Sequence, residues 1–205
     1  MSITYPLDLP AVQGNGAANI APAKVTLEGV HVAADSRSPY TLQGQTYQFQ
    51  GSMWRASFDL PGMTRAQAEP WIAFLLALRG KFGTFLMSDP ANTGLLGNAT
   101  GPVTVNGANQ TGYALVVAGL AGTLKAGDYF QLGTGLTSRL HKNLKDKTGA
   151  GSLDIFPALA ESPGDGSAVV IAGPKGLFRL KQNSVSWDID AAHLYSLSFS
   201  AVEAR

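Results

Sequence analysis

Three histidines, His31, His141 and His193, are the side chains of this sequence best suited to proton transfer or metal binding near neutral pH. No second histidine lies two, three or four residues from any of them, the spacing that places two such ligands on one strand or helix face. His193 lies close to Asp190 in an expected turn and reads as a surface histidine. Of the carboxylates, Asp59, Glu69, Asp89, Asp128, Asp154 and Asp165 are scattered. A glycosidase needs two of them converging. Most are expected at turns, where the side chain bonds nearby backbone. No serine stands in a Gly-x-Ser-x-Gly elbow. With no cysteine in the chain, disulfides, thiolate nucleophiles, iron–sulfur clusters and Cys-based zinc sites are excluded. Gly14-x-Gly16-x-x-Asn19 lacks the third glycine and the flanking strand and helix of a dinucleotide fingerprint. No phosphate loop occurs. Trp54, Trp71 and Trp187 could form a sugar-stacking platform, but all three fall on expected apolar faces and read as core. No catalytic, cofactor-binding or metal-binding residue is therefore assigned, and the chain reads as non-catalytic.

The elements that would position any site are mostly strands. Tyr47 and Phe49 alternate with Gln48 and Gln50. Gly51 breaks the run, and Trp54, Ala56, Phe58 and Leu60 then alternate with Arg55, Ser57 and Asp59. Period-two patterns of this kind predict two half-buried strands, neighbours in an antiparallel sheet. Pro61-Gly62 ends the second. Thr64 with Gln67 has capping-box spacing, and Ala68, Trp71, Ile72, Leu75 and Leu76 recur at helical intervals up to Gly80. This predicts one helix over 64–79, with Trp71, Leu75 and Leu78 facing the sheet. Pro70 places the start of its regular part near residue 70. Phe82 and Thr84 to Met87 predict a further strand, and residues 91–102 a linker.

Short strands separated by glycine turns follow at Ala114–Val117, Tyr129–Leu132, Arg139–Leu144, Leu153–Phe156 and Val169–Ile171. Their roughly ten-residue spacing suggests a small barrel or sandwich. The chain then returns to clean alternation, with Tyr195, Leu197, Phe199 and Ala201 on a dry face and Ser196, Ser198 and Ser200 on the other. The expected organisation is an N-terminal arm and edge strand over 1–40, a main β-sandwich or barrel from 40–92 plus 175–205 carrying the helix, and an inserted β-domain over 93–174. Within the arm, Pro6, Pro10, Pro22 and Pro39 punctuate, Gly14-Asn15-Gly16 forms a knot, and Val25, Leu27 and Val30 seed a short strand.

Composition narrows the function. Apolar residues make up 45% of the 205, enough for a packed core, while charged residues are only 14%. A surface so short of charge suits burial against partners. The net charge is +1, and the densest basic stretch is Arg139, His141, Lys142, Lys145 and Lys147. That is too dilute to grip a phosphate backbone, and it reads as a solvated hairpin face. No basic region followed by an apolar run marks a signal peptide. The longest apolar stretch, Trp71 to Leu78, is far below the roughly 18 residues that cross a bilayer. No membrane insertion is expected, and synthesis in a cytosol is.

Two segments carry a resemblance. Trp54-x-Ala-x-Phe-x-Leu-Pro-x-Met-Thr-Arg-x-Gln-Ala is followed by Trp71-x-Ala-Phe-Leu-Leu-x-Leu-Arg-Gly-x-x-Gly-Thr-Phe-Leu-x-x-Asp-Pro90. With Leu124-Lys-Ala-Gly-Asp-Tyr129, Arg139-Leu140 and Gly176-Leu-Phe-Arg-Leu180, they resemble distal tail proteins and related tail-tip subunits of siphophages of Gram-negative hosts. The likeness covers residues 45–205 and rests on structural residues. It implies a β-sandwich or barrel with one packed helix and, in some members, an inserted β-domain. It also implies a virion location and a hexameric ring that joins the tail tube protein to the hub proteins of the tip, with DNA passing through the ring unbound. A rival reading makes residues 93–174 a carbohydrate- or receptor-binding module for a host glycan, with contacts from the loops around Gly133–Gly135 and Pro163–Gly166. A hydrolase would need His31, His193 and an acid to converge.

Overall fold

A computed structural model describes residues 3–10 and 20–205. The glycine knot at 14–16 lies outside the described residues. Among the described residues the chain is mainly β with one α-helix, and the strands form two large sheets. Strands β1 (Leu7–Asp8), β2 (Lys24–Arg37) and β3 (Gly44–Met63) precede helix α1 (Arg65–Ala77) and β4 (Thr84–Met87). Next come β5 (Thr104–Val105), β6 (Gly112–Ala118), β7 (Thr123–Leu124), β8 (Tyr129–Leu132), β9 (Arg139–Asn143), β10 (Lys147–Thr148), β11 (Gly151–Leu159) and β12 (Val169–Val170). The chain closes with β13 (Gly176–Leu180), β14 (Trp187–Ile189) and β15 (Tyr195–Glu203).

The first sheet runs β1-β4-β13-β15-β3-β2, with β14 also on β15. Its core joins Trp54, Phe58, Phe85 and Phe178 to Trp71 and Leu75 of the helix. Trp71, Leu75 and Leu78 are buried as the helical spacing predicts. On β15 the serines point away from the buried Leu197 and Ala201. The second sheet runs β12-β8-β9-β11-β6-β5. It closes nearly into a barrel where Thr104 bridges Ala168 and Val105 N–H donates to the Ser167 carbonyl at 2.9 Å. Leu115, Phe130, Leu153 and Ile155 fill its centre. Tyr129, Leu140 and Phe156 leave that centre and join the core of the first sheet.

Several expectations need correction. The helix starts at Arg65, not near Pro70, and runs through the proline. Thr64 N–H donates to Gln67 Oε1 at 2.9 Å and fixes the first turn. Burial of Trp71, Ile72 and Leu75, at ~1.5–3 kcal/mol each, exceeds the ~3 kcal/mol cost of an interior proline. The runs around Tyr47 and Trp54 are not two neighbouring strands but one continuous strand, β3. Its partners are β2 on one side and β15 on the other. Gly51 marks a register shift rather than an end, and a Cβ there would meet Val32 Cγ2 at 3.1 Å. The short strand seeded by Val25 and Leu27 is a 14-residue edge strand. Phe82 lies outside β4 and is exposed, edge-on to the Tyr5 ring. Trp54 and Trp71 are core, but Trp187 is 37% exposed, on the short strand β14, which pairs with β15 and whose three residues are all exposed. Asp59 and Asp154 lie within strands and Glu69 within the helix, not at turns.

Candidate functional site

A pocket of about 420 Å³ opens at one end of the barrel. The turn after β8 and the connection from β11 to β12 form its rims. Gly133 starts the first rim with φ 70°, and a Cβ there would meet the Thr137 carbonyl at 2.3 Å, so only glycine lets the chain turn this tightly. Thr137 Oγ1 donates to the Thr134 carbonyl at 2.9 Å and rigidifies the turn. In the second rim, Asp165 Oδ1 accepts the Gly107 N–H at 2.7 Å. The two loops named from sequence as contact loops thus face each other across one cavity.

The floor is charged and buried. His141 on β9 is stacked on Phe130, with ring centroids 5.5 Å apart. Its Nδ1 lies 3.0 Å from the Pro157 carbonyl. A carbonyl only accepts, so Nδ1 carries the proton and a neutral ring leaves Nε2 as a lone-pair acceptor. Burial is the main cause that pulls the imidazole pKa down to about 4, aided by Arg205 and Arg139 and opposed by the Pro157 hydrogen bond. Glu203 on β15 reaches in from the first sheet. Its Oε2 accepts the Trp54 N–H at 3.1 Å and Arg205 Nη2 at 3.4 Å. Burial raises its pKa against the lowering effect of Arg205 and of the Trp54 hydrogen bond. Arg139 completes the floor, with Nη1 donating to the Ala204 carbonyl at 2.6 Å. Arg205 also donates to the Ser52 carbonyl.

Among the described residues no hydroxyl bonds His141, so the pocket contains no Ser–His nucleophile pair. Nor do three His, Asp or Glu side chains cluster as a metal site there. His31 is exposed on β2, its ring 4.7 Å from Phe156. His193 is exposed in the turn before β15, at φ 60°. Asp190 spends its carboxylate on the Ala192 and Leu194 N–H groups. Neither His31 nor His193 bonds a carboxylate among the described residues. Asp89, Asp128 and Asp165 cap backbone N–H groups, as expected. Asp89 also accepts from the Tyr129 hydroxyl at 3.2 Å. Burial first, and then the Asp89 charge, push that phenol to about 12. The basic stretch is only partly a solvated face, since His141 and Asn143 are buried. Glu203 escaped the sequence reading, yet it carried a signal: a carboxylate in phase with Leu197 and Ala201 on the dry face of the last strand.

A second surface lies at the far end of β2 and β3. Beyond His31 and Ser52 this hairpin projects from the sheet, and residues 31–50 are exposed apart from a half-buried Ser38. Residues 32–37 alone extend ~20 Å at ~3.3 Å per residue. The register places Ala34 opposite Tyr47, on the face that also carries Phe49. The other face pairs Asp35 with Thr46, whose Oγ1 donates to Asp35 Oδ1 at 3.2 Å. The Tyr47 and Phe49 rings meet edge-on at 4.9 Å. At the tip, Tyr40 is 94% exposed. The arm is thus amphipathic, with its apolar face uncovered.

No helix among the described residues is long and apolar enough to cross a membrane. No protein-family model matches the chain, and no curated protein matches it.

Proposed function

We propose that this chain is a structural subunit of a bacteriophage tail tip, a distal tail protein whose copies close into a ring between the tail tube and the tip complex. The observation that carries this reading is the projecting β2–β3 arm. An isolated two-stranded hairpin is marginal in water, because it buries too little apolar area to offset its ordering. An arm that exposes Val32, Tyr47, Phe49, Tyr40 and Leu42 together therefore calls for a surface outside its own chain. Among the described residues the outer edge of β2 and that of β14, on the opposite side of β15, have no strand partner, so each offers a row of backbone groups. Two different edges on one subunit suit a head-to-tail contact, the kind that closes into a ring by rotation. The low charge agrees with large covered interfaces, and the resemblance of residues 45–205 to tail-tip subunits supplies the biological setting. Light scattering with negative-stain imaging tests it, on the chain alone and mixed with its tail tube protein. A closed ring of several copies is expected in at least one sample. A strict monomer in both, at every concentration, would reject the reading.

A second reading, a glycan- or receptor-binding module of the same particle, is favoured by one observation: the two glycine-rich loops meet around a single pocket.

A further inference from the structure

The barrel-end pocket combines features that select a ligand chemistry. Leu132, Leu159 and Val170 give its walls an apolar surface, beside hydroxyls of Thr134, Thr137, Ser162 and Ser167. Its floor holds acceptors and a donor side by side. Nε2 of His141 makes no hydrogen bond among the described residues, although the ring borders the cavity. Oε1 of Glu203 is likewise left without a protein donor, both donors going to Oε2. Arg139 has only Nη1 engaged. Charge is balanced around the cavity, the guanidiniums of Arg139 and of Arg205, which pairs with Glu203, against the carboxylates of Glu161 and Glu203 beside a neutral imidazole. An anion would be repelled by Glu203 and a cation by Arg139 and Arg205, so neither gains from entering. No Phe, Tyr or Trp lines the cavity among the described residues, so nothing offers a ring face for stacking.

We infer that this pocket binds a small neutral ligand through a secondary amide bearing a methyl group, an acetamido group. The amide N–H donates to His141 Nε2, its carbonyl accepts from Arg139, and the methyl lies against Leu132 and Val170. The cavity lies within the usual 300–1,000 Å³ of ligand sites and sits in a barrel mouth. Glu203 serves as a further acceptor for a hydroxyl or second N–H. The inference deepens the second reading above and concerns a single chain, so failure of ring closure leaves it standing.

An acetamido group can come from an N-acetylated sugar or from a polypeptide, and the test separates the two. The full chain is titrated with N-acetylglucosamine, with N-acetylalanine methylamide and with glucose. NMR follows the His141 ring and the amides of residues 133–137 and 160–168. Saturable shifts are expected with at least one amide probe, and about tenfold weaker or absent binding with glucose, which lacks the amide. Response to the sugar alone assigns an N-acetylated glycan. Response to the peptide alone assigns a polypeptide, and response to both assigns the amide itself. Ala160→Trp, at an exposed rim position, should fill the cavity and abolish the shifts. Thr134→Trp on the opposite rim repeats the block should the first variant fold poorly. Three results would overturn the inference: no saturable shift with either amide, equal binding of glucose, or binding that survives both folded blocking variants.

Discussion

The barrel end and the projecting arm are built from similar strands, yet they handle polar and apolar groups in opposite ways. In the barrel, polar groups are drawn inside and fastened. Asn143 is buried and gives Nδ2 to the carbonyls of Leu124, Lys125 and Lys145. His141 is tied to Pro157, and Ser52 Oγ accepts the Ala158 N–H at 2.8 Å. In the arm, apolar groups are pushed outside and left uncovered. A buried polar group without a partner costs more than it returns, so most of the barrel's buried polar groups are bonded within the chain, Asn143 Oδ1 and the Tyr113 hydroxyl being left over. An exposed aromatic row gains only when water is removed from it, so the arm has an external solution. The contrast separates residues that hold the fold from residues that hold an assembly.

The largest effect should come from Trp54, which belongs to the first core but donates Nε1 to the Leu140 carbonyl of the barrel at 2.9 Å. Trp54→Ala should cost ~3–5 kcal/mol, measured as a lower denaturant midpoint. A cost under ~1 kcal/mol would mean that the two sheets do not depend on this contact.

Acid should act on the barrel and spare the arm. His141 titrates near 6.5 when unfolded and at about 4 when folded. Its folded pKa is lowered, so its contribution is complete above pH 6.5 and is lost as pH falls from there to about 4. The gap corresponds to ~3 kcal/mol. Glu203 works the other way: with its folded pKa raised, its contribution is present below the unfolded value and fades as pH rises through the folded one. Urea midpoints between pH 7 and 4 should fall for the parent chain and fall less for His141→Gln. Parallel pH profiles would refute the assignment.

Asn143→Ala strips three backbone carbonyls of their donor and should cost ~1–3 kcal/mol, read in the same urea series. An unchanged midpoint would show that water replaces the amide freely.

The smallest effect on stability, and the sharpest on assembly, belongs to the arm. Tyr47→Asp with Phe49→Asp should shift the midpoint by no more than ~0.5 kcal/mol, as for exposed positions. It should abolish higher-order species in light scattering. Retained assembly would remove the arm from the interface.

Local periodicity made much of this architecture legible. The buried face of the helix, Trp71, Leu75 and Leu78, follows from 3.6-residue spacing, and the dry face of β15 from alternation. Both patterns are consequences of local backbone geometry. The continuity of β3 was not legible, because a glycine between two alternating runs looks the same whether it ends a strand or bulges one; only the register with β2 decides. Trp187 misled for a related reason: an apolar residue in a strand is buried only if something packs over it.

The pocket divides along the same line. Its rims were visible as Gly133–Gly135 and Pro163–Gly166, since glycine and proline announce turns from sequence alone. Its floor was not. His141, Arg139 and Glu203 are 2 and 62 residues apart along the chain, and only the packing of the first sheet against the barrel, β3 on β11 and β13 on β9, brings them to one cavity. The amino-acid sequence by itself determined where most strand segments, the buried face of the helix and the turns fall, because these follow from each residue's neighbours. Tertiary structure alone decided which polar groups lost their water, because desolvation depends on contacts the chain makes with distant parts of itself.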